Sequence, residues 1–393
     1  MDTTSLKTSV NSRLALRIAV AAFFFMAGLS FASWASRIPA IQQKLHLSEA
    51  ALGGVLLAIP TGLMCSLPFT GWIITKIGSR KLLIIAITLY AFFLVGLGAA
   101  QNIVELIACL WCYGFVGNAA NIAVNTQAVA AEKMYEKPIM ASFHGIWSMA
   151  GFTGAGIGIF MIGKQIPPFY HFIVIMVMIF AGIIISSNKL VHDSGKAAAH
   201  EGEAIPTIRE RLRTMSPLLK LGIIAFCSMI CEGTMFDWSG VYFKKVVLAE
   251  GGWIGAGYFA FMCTMALGRF TADWFAGKYG LKRTLQISGT LTAAGLLVAV
   301  LFPYLWPSIA GFMLVGVGVC SVVPMIYSSA GRTEGIAPGV ALTAVSTIGF
   351  SGFMIGPPLI GFIAGIATLR ASFLLIACMG LSVAVISSKT KLR

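Results

Sequence analysis

Long apolar runs alternate with short polar breaks along the whole chain. Twelve runs are predicted, at 14–36, 49–75, 81–100, 103–130, 141–163, 170–188, 218–242, 253–277, 284–302, 306–330, 340–364 and 370–388. Each is roughly 20 residues long, the length of helix that crosses a hydrocarbon core. None shows the period-two alternation of a barrel strand, so the elements they predict are transmembrane helices. One connection is long. Residues 189–217 are polar and charged, carry Gly195, Gly202, Pro206 and Pro217, and divide the runs into two blocks of six. Within that segment Ile208–Leu212 is expected to form a short surface helix. The expected organisation is a bundle over 1–188, a central loop over 189–217 and a bundle over 218–393.

Composition excludes a soluble globule. Hydrophobic residues make up 58% of the chain and charged residues 11%, against roughly 25% charged in soluble domains. The chain reads as an all-α, multi-pass membrane protein. Its cations are unevenly placed. With both termini in the cytoplasm, cytoplasmic segments hold 21 Lys and Arg. The outer segments hold only Arg37, Lys44, Lys164, Lys244, Lys245 and Arg370, and Arg269 falls inside a span. The positive-inside rule supports that orientation. It also accounts for the net charge of +14 without a nucleic-acid partner. Lys7, Arg13 and Arg17 before the first run resemble a signal peptide, but eleven spans follow, so the run is read as an uncleaved helix. All eight cysteines fall in apolar runs. Cys109-Leu-Trp-Cys112 has metal-like spacing, yet it lies in a hydrophobic helix and is read as packing. No metal or cofactor is expected.

Two segments repeat. Lys76-Ile-Gly78-Ser-Arg80-Lys81 and Lys278-Tyr-Gly280-Leu-Lys282-Arg283 lie 202 residues apart, each after an apolar run. Both place Lys-x-Gly-x-basic-basic on a tight turn. Trp34 and Trp238 echo each other at an offset of 204. Two echoes in nearly one register indicate a duplicated, two-fold transporter, a class that binds its substrate near the midplane where the repeats meet.

The twelve spans in two sets of six, the long central loop and the basic turns resemble the major facilitator superfamily. Gly71-Trp-Ile-Ile-Thr-Lys76-Ile-Gly78-Ser-Arg80-Lys81 is similar to that family's G-x3-D-R-x-G-R-R signature, with Thr75 at the acidic position and Gly277 at its equivalent. In the family this acid helps to lock the cytoplasmic gate, so the resemblance implies here the turn and its cations (Lys76, Arg80, Lys278 and Lys282) without the acid. A narrower resemblance is to the YbjJ-like bacterial permeases near the fucose-permease group. It rests on Ala32-Ser-Trp34-Ala-Ser-Arg37-Ile-Pro39, Asn121-x3-Asn125 and His144-Gly145-x-x-Ser148. In the second half it rests on Glu232-Gly233-x3-Asp237-Trp238, Gly268-Arg269-Phe270 and Gly356-Pro357-Pro358-Leu-x-Gly361. The resemblance implies the major facilitator fold: twelve transmembrane helices in two pseudo-symmetric six-helix bundles.

Ionisable residues inside spans are costly and default to functional candidates. Five lie well inside: His144, Glu232, Asp237, Arg269 and Asp273. Glu232 is past mid-depth in the seventh span, and a carboxyl out of water suits reversible protonation and proton coupling; the alternative is a structural carboxyl bonded to a neighbouring helix. Asp237, five residues on, points about 140° away at the 3.6-residue helical period. It lies near the outer end of its span, as Arg37 does in the first, so the two are candidates for an outer-gate pair or for separately hydrated charges. Arg269 and Asp273 share a helix face and form either a local ion pair or, with Arg269 reaching Glu232 or Asp237, part of the coupling site. Asn121 and Asn125, one turn apart, can present amides to a sugar or polyol, or bridge helices. His144 opens the fifth span and reads as an interfacial hydrogen-bonder or a proton carrier. Trp34 and Trp238 are candidate aromatic lids or belt residues. Gly151, Gly154, Gly156 and Gly158 in the fifth span, and Gly349, Gly352, Gly356 and Gly361 with Pro357-Pro358 in the eleventh, are read as packing and bending elements.

No Walker turn, dinucleotide fingerprint or His-Glu-x-x-His occurs, so neither an enzyme nor an ATP-driven pump is expected. The reading is a monomeric secondary active transporter of the bacterial inner membrane. It moves a small polar solute, a sugar or polyol first, with protons as the coupling ion, and has the lipid bilayer as its other partner. A metabolite or drug exporter and a non-transporting sensor share the fold and stay open.

Overall fold

A computed structural model of the chain describes residues 3–135, 139–191, 208–333 and 338–389. The first half contains α1 (Thr3–Lys44), α2 (Glu49–Leu56), α3 (Ala58–Ala99), α4 (Ile103–Glu132), α5 (Met140–Gly163) and α6 (Pro168–Ser186). The second contains α7 (Ile208–Lys245), α8 (Ala256–Tyr279), α9 (Leu281–Leu301), α10 (Leu305–Val319), α11 (Val322–Gly331), α12 (Pro338–Ile366) and α13 (Leu369–Lys389).

Among the described residues, ten stretches are long and apolar enough to span a membrane. One of them, Glu49–Ala99, is bent in two at Gly78, whose φ of 80° and ψ of 158° are non-helical. The remaining span is α8, whose apolar run is interrupted by Arg269 and Asp273. The fold is thus an all-helical membrane fold of about 12 helices. Two details differ from expectation. The surface helix expected at Ile208–Leu212 is not separate, because α7 runs unbroken from Ile208 to Lys245; extending a helix adds a hydrogen bond per residue, whereas a second helix needs its own nucleus. The tenth span is not continuous but breaks between α10 and α11. Pro324 explains this, since it offers no N–H to the Cys320 carbonyl and its ring crowds that oxygen.

The helices cluster into two units, residues 1–45 with 58–198, and residues 46–57 with 199–393. Small residues line the seams of each. In the first unit α1 packs on α5, where a Cβ on Gly28 would lie 2.6 Å from the Trp147 carbonyl and one on Gly154 would lie 2.8 Å from the Ala32 Cβ. In the second unit α7 packs on α12, where a Cβ on Gly352 would lie 2.7 Å from the Phe226 carbonyl and one on Gly349 would lie 2.8 Å from Met229 Sδ. Pro357 and Pro358 lie inside α12, which stays helical through them. The second unit also takes in α2. A Cβ on Gly53 would lie 2.6 Å from the Pro357 carbonyl, and Lys245 forms an ion pair with Glu49.

Two cations near span ends are spent on helix C-termini. Lys44 Nζ donates to the Gly98 and Ala100 carbonyls at 3.1 and 2.7 Å, at the end of α3. Arg370 donates through Nε and Nη2 to the Val300 carbonyl at 3.1 and 2.6 Å, at the end of α9. Both neutralise carbonyls that lack an intrahelical donor and sit at the negative end of the helix dipole.

Candidate functional site

Glu232 sits on α7 with 7% of its surface exposed. Arg269 on α8 donates through Nη2 to Glu232 Oε1 at 3.3 Å, so the guanidinium does reach a carboxylate on the neighbouring helix. The side chain of Asp273 lies outside the described residues, and with it the local pair. Gly268, one residue before Arg269, lets α8 approach the break in the tenth span, because an added Cβ would lie 2.5 Å from Cys320 Sγ. Two further polar groups belong to these helices. Ser228, one turn before Glu232 on α7, and Tyr327 on α11 both have buried hydroxyls without a hydrogen-bond partner among the described residues. The attraction within a charge pair is stronger out of water than at a surface, and neutralising one member leaves the other charge uncompensated.

Asp237 is half-buried and joins no ion pair among the described residues. Arg37 is 3% exposed and engaged within its own unit. Its Nε donates to His171 Nδ1 at 3.1 Å and its Nη2 donates to the Ile166 carbonyl. His171 is fully buried and, because its Nδ1 accepts from Arg37, carries its ring proton on Nε2, which has no partner among the described residues. Trp34 and Trp238 are 1% and 0% exposed, and neither indole N–H has a partner among the described residues. Both rings are core residues of their units.

Asn121 and Asn125 lie on one face of α4 and bond to each other, Asn125 Nδ2 donating to Asn121 Oδ1 at 3.0 Å. Gln127, on another face, is fully buried; its Nε2 donates to Ser79 Oγ at 2.7 Å and its Oε1 accepts from the Val191 N–H at 2.9 Å. His144 is exposed and stands edge-on to Phe24 at 5.4 Å. Lys76, Lys278 and Lys282 are exposed, while Arg80 donates to the Ser187 carbonyl at 3.1 Å. The Thr75 hydroxyl bonds the Trp72 carbonyl at 2.7 Å. Among the described residues no cluster of three His, Cys, Asp or Glu could hold a metal.

Sequence reasoning missed His171, the Glu49–Lys245 pair and the break at Cys320. His171 carried a signal, as a histidine inside the sixth apolar run. Pro324 carried another, as a proline inside the tenth. Glu49 and Lys245 carried none, because interfacial charges are common at span ends.

Comparison with known proteins agrees with this architecture. Residues 18–248 and 246–390 match the profile of the Major Facilitator Superfamily. The uncharacterized transporter y4wD of Sinorhizobium fredii is 32% identical over 372 residues, 95% of this chain and 97% of that protein. The membrane protein MosC of Rhizobium meliloti is 32% identical over 369 residues, 93% of this chain and 88% of that protein. The crystal structure of the nucleoside transporter NupG superposes with a TM-score of 0.73 at 12% identity, covering 95% of this chain and 98% of that one, a likeness of fold. The chain therefore belongs to the Major Facilitator Superfamily and is a multi-pass secondary transporter rather than an enzyme.

Proposed function

We propose that this transporter moves a small polar solute, a sugar or polyol first, coupled to protons through Glu232 and Arg269. The observation that carries the reading is their ion pair inside the second unit. A proton arriving on Glu232 removes the charge that holds Arg269, loosening α7 from α8; loss of the proton restores the attraction. A membrane-embedded acid that can exchange partners in this way is the usual device for tying proton movement to helix movement. Asp237, on the same helix and without an ion pair among the described residues, is the second acid of the pathway.

The substrate class rests on Asn121 and Asn125, whose amides offer paired donors and acceptors. It also rests on the resemblance to the YbjJ-like branch near the fucose permeases, and NupG, similar in fold, is a transporter of nucleosides, which carry a sugar. The seams through Gly151, Gly154, Gly356, Pro357 and Pro358 are the packing surfaces over which helices shift during alternating access. The charge asymmetry supports an orientation with both termini in the cytoplasm, in keeping with a bacterial inner-membrane location.

Proteoliposomes loaded with a pH dye and challenged with sugars, polyols, nucleosides and organic acids test the reading. Wild type is expected to take up protons with one solute class. Glu232→Gln is expected to lose proton-driven uptake and to keep exchange of that solute. Wild-type proton-driven accumulation by Glu232→Gln would sink the proposal. Proton movement opposite to the solute would identify a proton antiporter, the exporter alternative.

A further inference from the structure

Each basic turn is preceded by a tryptophan that the fold leaves in the open. Trp72 is 61% exposed and Trp274 is 59% exposed. They lie 202 residues apart, in the register of the turn glycines Gly78 and Gly280. Each stands four residues before the lysine of its turn, so indole and ammonium share one helix face. In the second turn the pairing is direct: Lys278 Nζ lies 4.9 Å from the centre of the Trp274 ring and 5.4 Å from that of Tyr279. Lys76, Lys81, Lys278, Lys282 and Arg283 are all exposed.

A gate latch would spend these cations on carboxylates. Here the position of the family's acid holds Thr75 or Gly277, and the Thr75 hydroxyl is turned back to the Trp72 carbonyl. The Glu49–Lys245 and Glu232–Arg269 pairs found among the described residues do not use the lysines of the turns. What remains is an exposed indole, a lysine one helical turn along and a second exposed lysine just beyond a sharp reversal, made twice. An exposed indole at the end of a span settles at headgroup depth, and lysines there attract anionic lipid.

We propose that the two turns are a duplicated pair of binding sites for anionic phospholipid headgroups. The indole of Trp72 or Trp274 lies against the junction of headgroup and acyl chain. The lysines of the turn, Lys76 and Lys81 or Lys278 and Lys282, hold the phosphate. The first site is the stronger, because Gly71 stands where the second has Asp273, an acid that offsets part of the charge. The proposal is independent of the substrate and of the coupling ion.

Native mass spectrometry of the full chain in mild detergent tests it, with short-chain phosphatidylglycerol and phosphatidylcholine as probes. Wild type is expected to retain two phosphatidylglycerol molecules above the phosphatidylcholine background. Lys76→Gln with Lys81→Gln is expected to remove the tighter one, and Lys278→Gln with Lys282→Gln the weaker. Each lysine lost weakens binding about fivefold at low salt, and added salt weakens it further. The same positions changed to arginine are expected to keep both lipids, which separates loss of charge from loss of fold. Equal retention of the two lipids, or unchanged counts in the glutamine variants, overturns the proposal. So does displacement by inorganic phosphate, which would show a site for free anions.

Discussion

Gly78 and Gly280, 202 residues apart, hold the same backbone conformation. Gly78 has φ 80° and ψ 158°, and Gly280 has φ 77° and ψ 158°. The repeated sequence is therefore a repeated shape: each glycine ends one span and starts the next in a region that only glycine occupies readily.

Gly78→Ala and Gly280→Ala are each expected to cost about 1–3 kcal/mol from backbone strain alone. At Gly280 an added Cβ would meet nothing within 4 Å, so no clash contributes. Gly277→Ala, equally open and inside α8, is the control and leaves stability unchanged or slightly raised. Thermal unfolding midpoints in detergent check this; equal midpoints for all three variants would contradict it.

Removing one member of the Glu232–Arg269 pair leaves a charge in a low-dielectric site. Arg269→Leu is expected to destabilise by roughly 3–5 kcal/mol. Adding Glu232→Leu to the same chain is expected to recover most of that loss, because replacing both members leaves no unpaired charge. A double-mutant cycle on unfolding midpoints reads the coupling. Simple additivity would show that the two side chains do not act together.

Arg37 loses an acceptor when His171 is changed. His171→Leu is expected to cost about 1.5–3 kcal/mol, the range for a hydrogen bond to a charged group. Arg37→Lys is expected to be damaging as well, because an ammonium cannot reproduce the fork that reaches both His171 and the Ile166 carbonyl. Thermal melts of both variants are the measurement, and wild-type midpoints would show that the contact contributes nothing.

Neighbouring glycines of α2 are expected to respond in opposite directions. Gly53→Ala puts a methyl 2.6 Å from the Pro357 carbonyl and 3.0 Å from the Gly361 Cα, so α2 must lift from α12. Gly54→Ala meets nothing within 4 Å and gains up to about 1 kcal/mol of helix propensity. A lower midpoint for the first and an equal or higher one for the second is the expected result; equal effects would mean that α2 is not packed as described.

The site was only partly legible beforehand. Glu232 and Arg269 stood out as charges in apolar runs, but three partners, Asp273, Glu232 and Asp237, were open to Arg269. Asp273 is one turn away on its own helix, and Glu232 is reached only through the packing of α7 with α8. Spacing could not decide, since it carries no information about the rotation of a second helix. Arg37 was legible as a cation near a span end, while its acceptor His171 is 134 residues away. Trp34 and Trp238 were legible as an echo, and their burial was not, because an indole near a span end suits both a core and an interface.

The sequence by itself determined that the chain is a two-fold, twelve-span helical membrane protein with two glycine-pinned turns. Each of these is a local property: transfer of an apolar run into lipid depends on that run's own length and composition, and a positive φ depends on one residue. Only the tertiary structure decided that Arg269 meets Glu232, that Arg37 meets His171, that α2 groups with the second unit and that Trp72 and Trp274 stay open. Those outcomes depend on the depth and rotation of one helix against another. They are set by the small residues at each seam, acting between positions distant in sequence.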